Sequence, residues 1–254
     1  MIITNRHGLP QHIIDDIRAD LERDFIEDRY SVTELLNSTK EIILKRRYQD
    51  KVVVDASEYI ARMFGTAFHL MMEYDENDEI KLEYTLDNGV TISGRVDRVE
   101  NGTVIDYKTS STWKFTSGEF DDWHKQCIMY AWLFRRAKGV IISSFKIIAF
   151  LKNWSQSQVG RMANYPESAI TTWETKINTA DIIEIEKEVI AKVEELTKYK
   201  NSPANEMPEP KPDELWYSGD KYAVIKTGAA RALRVFDTEE EAETYALAKG
   251  AQVE

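Results

Sequence analysis

Two Asn-Gly pairs, Asn88-Gly89 and Asn101-Gly102, separate three runs of strand-forming residues at about 79–86, 90–99 and 103–109. No other feature restricts the folding of this chain as much, because Asn and Gly both accept the left-handed backbone that a tight hairpin needs. The three runs are therefore expected to form an antiparallel meander. With a two-residue turn at Asn101-Gly102, paired positions on the flanking strands have numbers that sum to 203, so Asp97 faces Asp106. Two carboxylates so opposed repel by about 3 kcal/mol at an effective dielectric of roughly 20. A divalent cation is the simplest compensation, since Mg²⁺ is held by one or two carboxylates together with water and phosphate oxygens. Strand alternation puts Lys108 on the Asp106 face and turns Tyr107 and Thr109 away. Metal plus ammonium is equipment for phosphodiester hydrolysis. A surface hairpin with unrelated charges would carry the same letters.

The register of the first hairpin decides whether Glu83 joins this face. A two-residue Asn88-Gly89 turn pairs Glu83 with Gly94, away from Asp97; a three-residue loop with Gly89 left-handed pairs it with Ser93, on the Asp97 side.

Around the meander, residues 11–50 mix charged and apolar positions at helical spacing, and Ser31-Val-Thr-Glu34 reads as a capping box, so 1–56 is expected to be helical. Ser57 to about Tyr74 predicts an amphipathic helix whose inward stripe is Ile60, Phe64, Phe68 and Met71. On that helix His69 lies off the stripe, beside Arg62, Gly65 and Glu73. A helix follows over about 119–138, then a strand at Ile141–Leu151 and a helical stretch at 168–199. The sequence divides into a main domain at 1–200 (catalytic core 57–151, helical part 165–200), a linker at 201–214 holding four of the six prolines, and an appendage at 215–254. The appendage is expected to be ββα, with a hairpin in Lys221–Phe236 and a helix capped at Thr238-Glu-Glu-Glu241 and ending at Gly250. Its Trp216, Tyr217, Tyr222, Arg231 and Arg234 could serve DNA or a partner protein.

The net charge of −11 argues against a protein that coats nucleic acid, whose affinity comes from neutralised phosphates. Lys45-Arg46-Arg47 and Arg135-Arg136-Ala-Lys138 could still follow a phosphate backbone, or be solvated helix faces. A single cysteine, Cys127, excludes intrachain disulfides and any cluster held by several thiolates of this chain. No apolar run reaches bilayer length and the N-terminus lacks an export signal, so a cytoplasmic protein with no membrane segment is expected.

Four segments in order, Gly65-Thr-Ala-Phe-His69, Gly94-Arg-Val-Asp97, Val104-Ile-Asp-Tyr-Lys-Thr109 and Gln126-Cys-Ile-Met-Tyr130, resemble the PD-(D/E)XK nuclease superfamily, in its RecB-like and Cas4-like branch. The resemblance covers about 31–151. It implies an α/β, restriction-endonuclease-like fold, with a central mixed sheet flanked by helices. It further implies a Mg²⁺- or Mn²⁺-dependent deoxyribonuclease, an exonuclease before an endonuclease, acting on DNA ends or single strands, with a recombination or replication protein as partner. By this resemblance His69, Asp97, Asp106 and the Tyr107 carbonyl are metal ligands, with Glu83 a further acidic candidate. Lys108 is the catalytic lysine, and Gln126 and Tyr130 brace it or touch substrate, although an amphipathic core helix would also place that last pair four apart. Relatives in this branch with four cysteines carry an iron–sulfur cluster; one cysteine cannot hold it. Trp113, Lys114 and Phe115 follow the catalytic strand and are expected to pack.

Overall fold

The computed structural model describes all residues except 22–24, 73–77, 212–213, 215–219, 230 and 254. Glu73, Tyr74, Pro212, Trp216 and Tyr217, invoked above, lie outside the described residues. The elements run β1 (Ile2–Thr4), α1 (Gln11–Leu21), β2 (Arg29–Ser31), α2 (Val32–Leu35), α3 (Thr39–Arg47), β3 (Val53–Asp55), a 3-10 turn (Ala56–Tyr59) and α4 (Ile60–Met72). They continue with β4 (Asp78–Thr85), β5 (Thr91–Glu100), β6 (Thr103–Ser110), α5 (Thr112–Ser117), α6 (Asp121–Lys138), β7 (Ser144–Leu151), β8 (Ile170–Lys176) and α7 (Thr179–Tyr199). The last are β9 (Tyr222–Ile225), β10 (Arg234–Phe236), α8 (Glu239–Lys249) and β11 (Gln252–Val253). Among the described residues no helix is long and apolar enough to cross a membrane. The chain divides into two compact units, 1–210 and 211–254.

The first unit is a mixed six-stranded sheet flanked by helices. The meander forms as its turn chemistry dictates. Glu100 pairs with Thr103 around Asn101 and Gly102, both with positive φ (49° and 77°), a two-residue turn whose hand matches strand twist. Thr85 pairs with Thr91 around a longer loop in which Gly89 takes φ 85°, and this sets Glu83 opposite Ser93. β7 then joins β6 in parallel, its alternating side chains buried, and β8 closes the sheet antiparallel to β7. On one face α6 buries Trp123, Cys127, Tyr130, Leu133 and Phe134 against Leu82, Ile92, Val96, Val104, Phe145 and Ile147, and α7 adds Val189, Val193 and Leu196 to the same core. Within the proline-rich stretch, Met207 is buried in this core and Glu209 pairs with Lys40 at 2.5 Å.

The structure corrects four expectations. The N-terminal part is not wholly helical: β2 pairs in parallel with the start of β5, setting Tyr30 beside Ile92, and β1 pairs in parallel with β3. Strands three residues long with partners about fifty and sixty residues away leave no local period to read. The Ser31 capping box does form, opening the four-residue α2. The stripe on α4 is inward only in part: Phe68 packs against Phe150, but Phe64 and Met71 are exposed at 64% and 67%, and Gly65 and His69 share the inward side with Phe68. The stretch expected to be helical at 168–199 begins as β8, whose Thr171, Trp173 and Thr175 alternate with exposed neighbours at the strand period, and α7 starts only after the Asn178 capping box. In the second unit a further strand, β11, pairs with β9 after α8, so the unit is ββαβ around Val224, Ala242 and Ala246.

Gly102→Ala should cost about 1–2 kcal/mol, because an L side chain must enter the left-handed region there. A shift of the urea midpoint with an unchanged slope measures it; an unshifted midpoint would mean that another turn serves equally well.

Candidate active site

The site forms where β5 and β6 part. β4 runs along one edge of β5, while the other edge pairs with β2 at Thr91–Ser93 and with β6 only at Arg98–Glu100. The register sums to 203 as far as Arg98 and Ile105, and there the ladder ends. Asp97 and Asp106 are therefore next in line without being a paired rung, and parting relieves the repulsion that direct opposition would impose. Asp97 Oδ2 accepts the Tyr107 N–H at 2.7 Å, taking the place a β5 carbonyl would fill. The N–H and C=O of one strand residue point to the same edge, so the Tyr107 carbonyl faces this opening too. On the other oxygen, Asp97 Oδ1 lies 3.1 Å from His69 Nδ1, which α4 brings in.

Asp106 and Lys108 share a face, as alternation requires, with Nζ 2.9 Å from Asp106 Oδ2. The ammonium approaches off the direction a hydrogen bond needs. Oδ2 is thus buried, with a cation beside it and no hydrogen bond. Lys108 Nζ donates to Gln126 Oε1 at 3.2 Å. The Tyr130 hydroxyl lies near the Gln126 side chain and near the Arg95 N–H at the open edge of β5. α6 thereby fills the gap that the parting strands leave. This close approach depends on glycine: a Cβ on Gly94 would stand 2.6 Å from Tyr130 Cε1. Gly65 plays a milder part on α4, where a Cβ would reach ordinary contact, 3.8 Å, with Thr109 Oγ1.

The protonation states follow from these contacts. Burial pushes the Asp106 carboxyl up, Lys108 opposes and Asp97 adds to the rise. Burial pulls Lys108 down, yet the Asp106 carboxylate more than offsets it and keeps the lysine an ammonium. Burial pushes the Tyr130 phenol and the Cys127 thiol up, with Asp106 adding to both. His69 is raised above 6.5 by its hydrogen bond to Asp97, against a smaller opposing effect of burial.

Most of the residues singled out in the sequence meet here: His69, Asp97, Asp106, Tyr107, Lys108, Gln126 and Tyr130. Glu83 does not. It lies on the Asp97 side of the register, but four residues along β5, about 13 Å away at strand rise, and its carboxylate pairs with Arg29. The basic runs are largely occupied. Arg46 binds Glu34 and lies over Tyr30, Arg47 donates to the Lys200 carbonyl, and Arg136 binds Glu186. Trp113, expected to pack, is 68% exposed. Sequence reading passed over the Arg95 N–H, a backbone donor that no side-chain pattern announces, and Cys127 beside the lysine, whose place one turn before Tyr130 on α6 could have shown it.

Among the described residues no three His, Cys, Asp or Glu side chains stand as a ready metal cluster. His69 and Asp97 are turned toward each other, and Tyr107 occupies the second Asp97 oxygen. The donor chemistry nonetheless fits a hard divalent cation: two carboxylates, an imidazole and a main-chain carbonyl converge, and Asp106 Oδ2 is a buried anionic oxygen without a hydrogen bond.

The layered mixed sheet and its flanking helices are of the restriction-endonuclease-like kind. A family model of the PD-(D/E)XK nuclease superfamily matches residues 34–206, and the chain belongs to that superfamily. Solved structures similar to it include SSO0001, with 18% identity over 77% of this chain and 89% of that one, at a TM-score of 0.49. An alkaline exonuclease from Laribacter hongkongensis aligns over 68% and 90% of the two chains, with 14% identity and a TM-score of 0.39. A phage-related exonuclease from Haemophilus somnus aligns over 67% and 82%, with 16% identity and a TM-score of 0.36. Comparison with curated proteins gives no match.

Two outcomes are expected. Gly94→Ala should destabilise the fold by about 1–3 kcal/mol through the clash with Tyr130, and Tyr130→Ala in the same chain should recover part of that loss in chemical denaturation. In metal-free protein the His69 imidazole should titrate above 6.5 by NMR and return toward that value in Asp97→Asn. Because the folded-state value is raised, the associated stability is present below 6.5 and is lost as pH climbs through the folded-state value, so wild-type melting temperature should fall over that window and Asp97→Asn should not share the fall.

Proposed function

We propose that this chain is a divalent-metal-dependent deoxyribonuclease, an exonuclease of the RecB-like kind without an iron–sulfur cluster, that degrades linear DNA in recombination or repair. The observation that carries the proposal is the pairing of a buried, unbonded carboxylate oxygen on Asp106 with a fixed ammonium on Lys108 at the mouth between parted strands. His69, Asp97, Asp106 and the Tyr107 carbonyl would hold Mg²⁺ or Mn²⁺. Bound there, the ion would polarise the scissile phosphate and lower the pKa of an attacking water.

The remaining work belongs to the chain itself. Lys108, held by Gln126 Oε1 on one side and Asp106 on the other, presents a positive charge that does not have to reorganise as negative charge develops on the phosphoryl oxygens. Asp106 keeps that lysine protonated. Gln126 fixes the Nζ position, and Tyr130, one turn further along α6, packs against Gly94. His69 must give up its proton and turn from Asp97 to become a ligand, so metal affinity should rise with pH up to the His69 pKa.

The test compares end-labelled linear DNA with a closed circle, in Mg²⁺, Mn²⁺ or EDTA, for wild type and Lys108→Ala. Loss of the linear form alone, abolished by EDTA and reduced at least about 10²-fold by the substitution, is expected. Cutting of the circle would make the enzyme an endonuclease, and inertness of the wild type under all conditions would refute the proposal.

A further inference from the structure

The helix that supplies His69 is weakly anchored by its own side chains. None of the residues of α4 is buried, and three of its large apolar groups, Phe64, Leu70 and Met71, face outward. Its inward contacts include the close approach of Gly65 to Thr109, and Phe68 against Phe150 with ring centroids 4.0 Å apart. With none of its residues buried, the helix depends on what holds its ends.

The N-terminal end is fixed by a buried carboxylate. Asp55 closes β3 and opens the 3-10 turn that runs directly into α4. It is 3% exposed, and its oxygens take four donors, two from Ser57 next along the chain and two from the distant N-terminal segment. Oδ1 accepts the Ser57 N–H at 3.2 Å and the Ser57 hydroxyl at 2.6 Å. Oδ2 accepts the Thr4 hydroxyl at 2.9 Å and the Arg6 N–H at 2.9 Å, with the Arg6 guanidinium 3.4 Å away. These bonds hold the Asp55 carboxyl well below the usual carboxylate range. The same join is reinforced by the β1–β3 pair and by an apolar cluster of Ile14, Ile17 and Ala56 that takes in Tyr59 of the turn and Met63 of α4. A buried charge survives only when fully satisfied, and this one is satisfied solely while β1, β3 and the turn stay together.

We propose that Asp55 is a positioning residue: through this N-terminal clasp it sets α4 on the sheet and so holds His69 at the distance from Asp97 that the metal site needs. The inference rests on the metal-dependent reading above. Ligand geometry tolerates little drift, and supporting residues outside the ligand set contribute about 10-fold or more to metal affinity.

Asp55→Asn is the direct test, because an amide has one oxygen and must turn its NH₂ toward donors, either the Ser57 pair or the Thr4 and Arg6 pair. Thr4→Val, a gentler opening of one side, guards against simple misfolding. Two readouts are taken: amide hydrogen exchange in the metal-free protein, and Mn²⁺ affinity by calorimetry, with His69→Ala alongside. The expected result is faster exchange across 60–72 with β5 and β6 unchanged, and Mn²⁺ binding weakened about 10-fold by Asp55→Asn and less by Thr4→Val. Turnover at saturating Mn²⁺ should return to near the wild-type value. Unchanged Mn²⁺ affinity in Asp55→Asn beside a loss in His69→Ala would overturn the positioning role and leave the metal reading standing. Exchange that quickens in β5 and β6 as well would make Asp55 a residue of the whole fold and overturn it too. No loss in His69→Ala would end both.

Discussion

The bond from the Tyr107 N–H to Asp97 Oδ2 stands where an unbroken sheet would have a backbone carbonyl, and the rest of the site depends on that replacement. A side chain that substitutes for the backbone ends the β5–β6 ladder at Arg98 and Ile105 and opens a wedge in the sheet. Buried backbone groups must still find partners, and at the wedge side chains stand where the neighbouring strand would have been. Tyr107 is paired by a carboxylate. The Tyr130 hydroxyl comes near the Arg95 N–H, and α6 brings Gln126 and the end of Lys108 to the opening. Gly94 permits the phenol ring to lie that close.

Electrostatics at the wedge are balanced unequally. Two carboxylates and a histidine share the space with one ammonium, and the ammonium cannot serve both acids: it stands against Asp106, while His69 serves Asp97. The buried Asp106 oxygen keeps a neighbouring charge but no hydrogen bond, an arrangement that costs stability in the chain by itself. A divalent ion would remove that cost, so the same feature that weakens the fold points to what the site binds. Stability is given up where the chemistry is to happen.

Much of this was legible in the letters because it is local. Two Asn-Gly pairs define the meander, the 203 register follows from one turn, and alternation puts Lys108 beside Asp106. The letters left two registers open for Glu83; the structure takes the Gly89 loop that puts it on the Asp97 side, where Arg29, on a three-residue strand from another part of the chain, claims it. What stayed hidden is non-local. β2 and β3 are too short to show a period, and the apolar stripe of α4 gave the inward face only in part, because the helix approaches the sheet through Gly65 and Phe68 and leaves Phe64 and Met71 outside. The termination of the ladder could not be read at all: opposed carboxylates on paper become adjacent ones in the fold once the strands have somewhere to part.

The proposed function requires a metal-binding centre in the wedge between β5 and β6. Anomalous diffraction from crystals soaked in Mn²⁺ tests that most directly. A peak at bonding distance from Asp97 and Asp106, with the His69 imidazole turned from Asp97 toward it and the Lys108 ammonium alongside, is the predicted result. An empty wedge at saturating Mn²⁺, with His69 still bonded to Asp97, would contradict it.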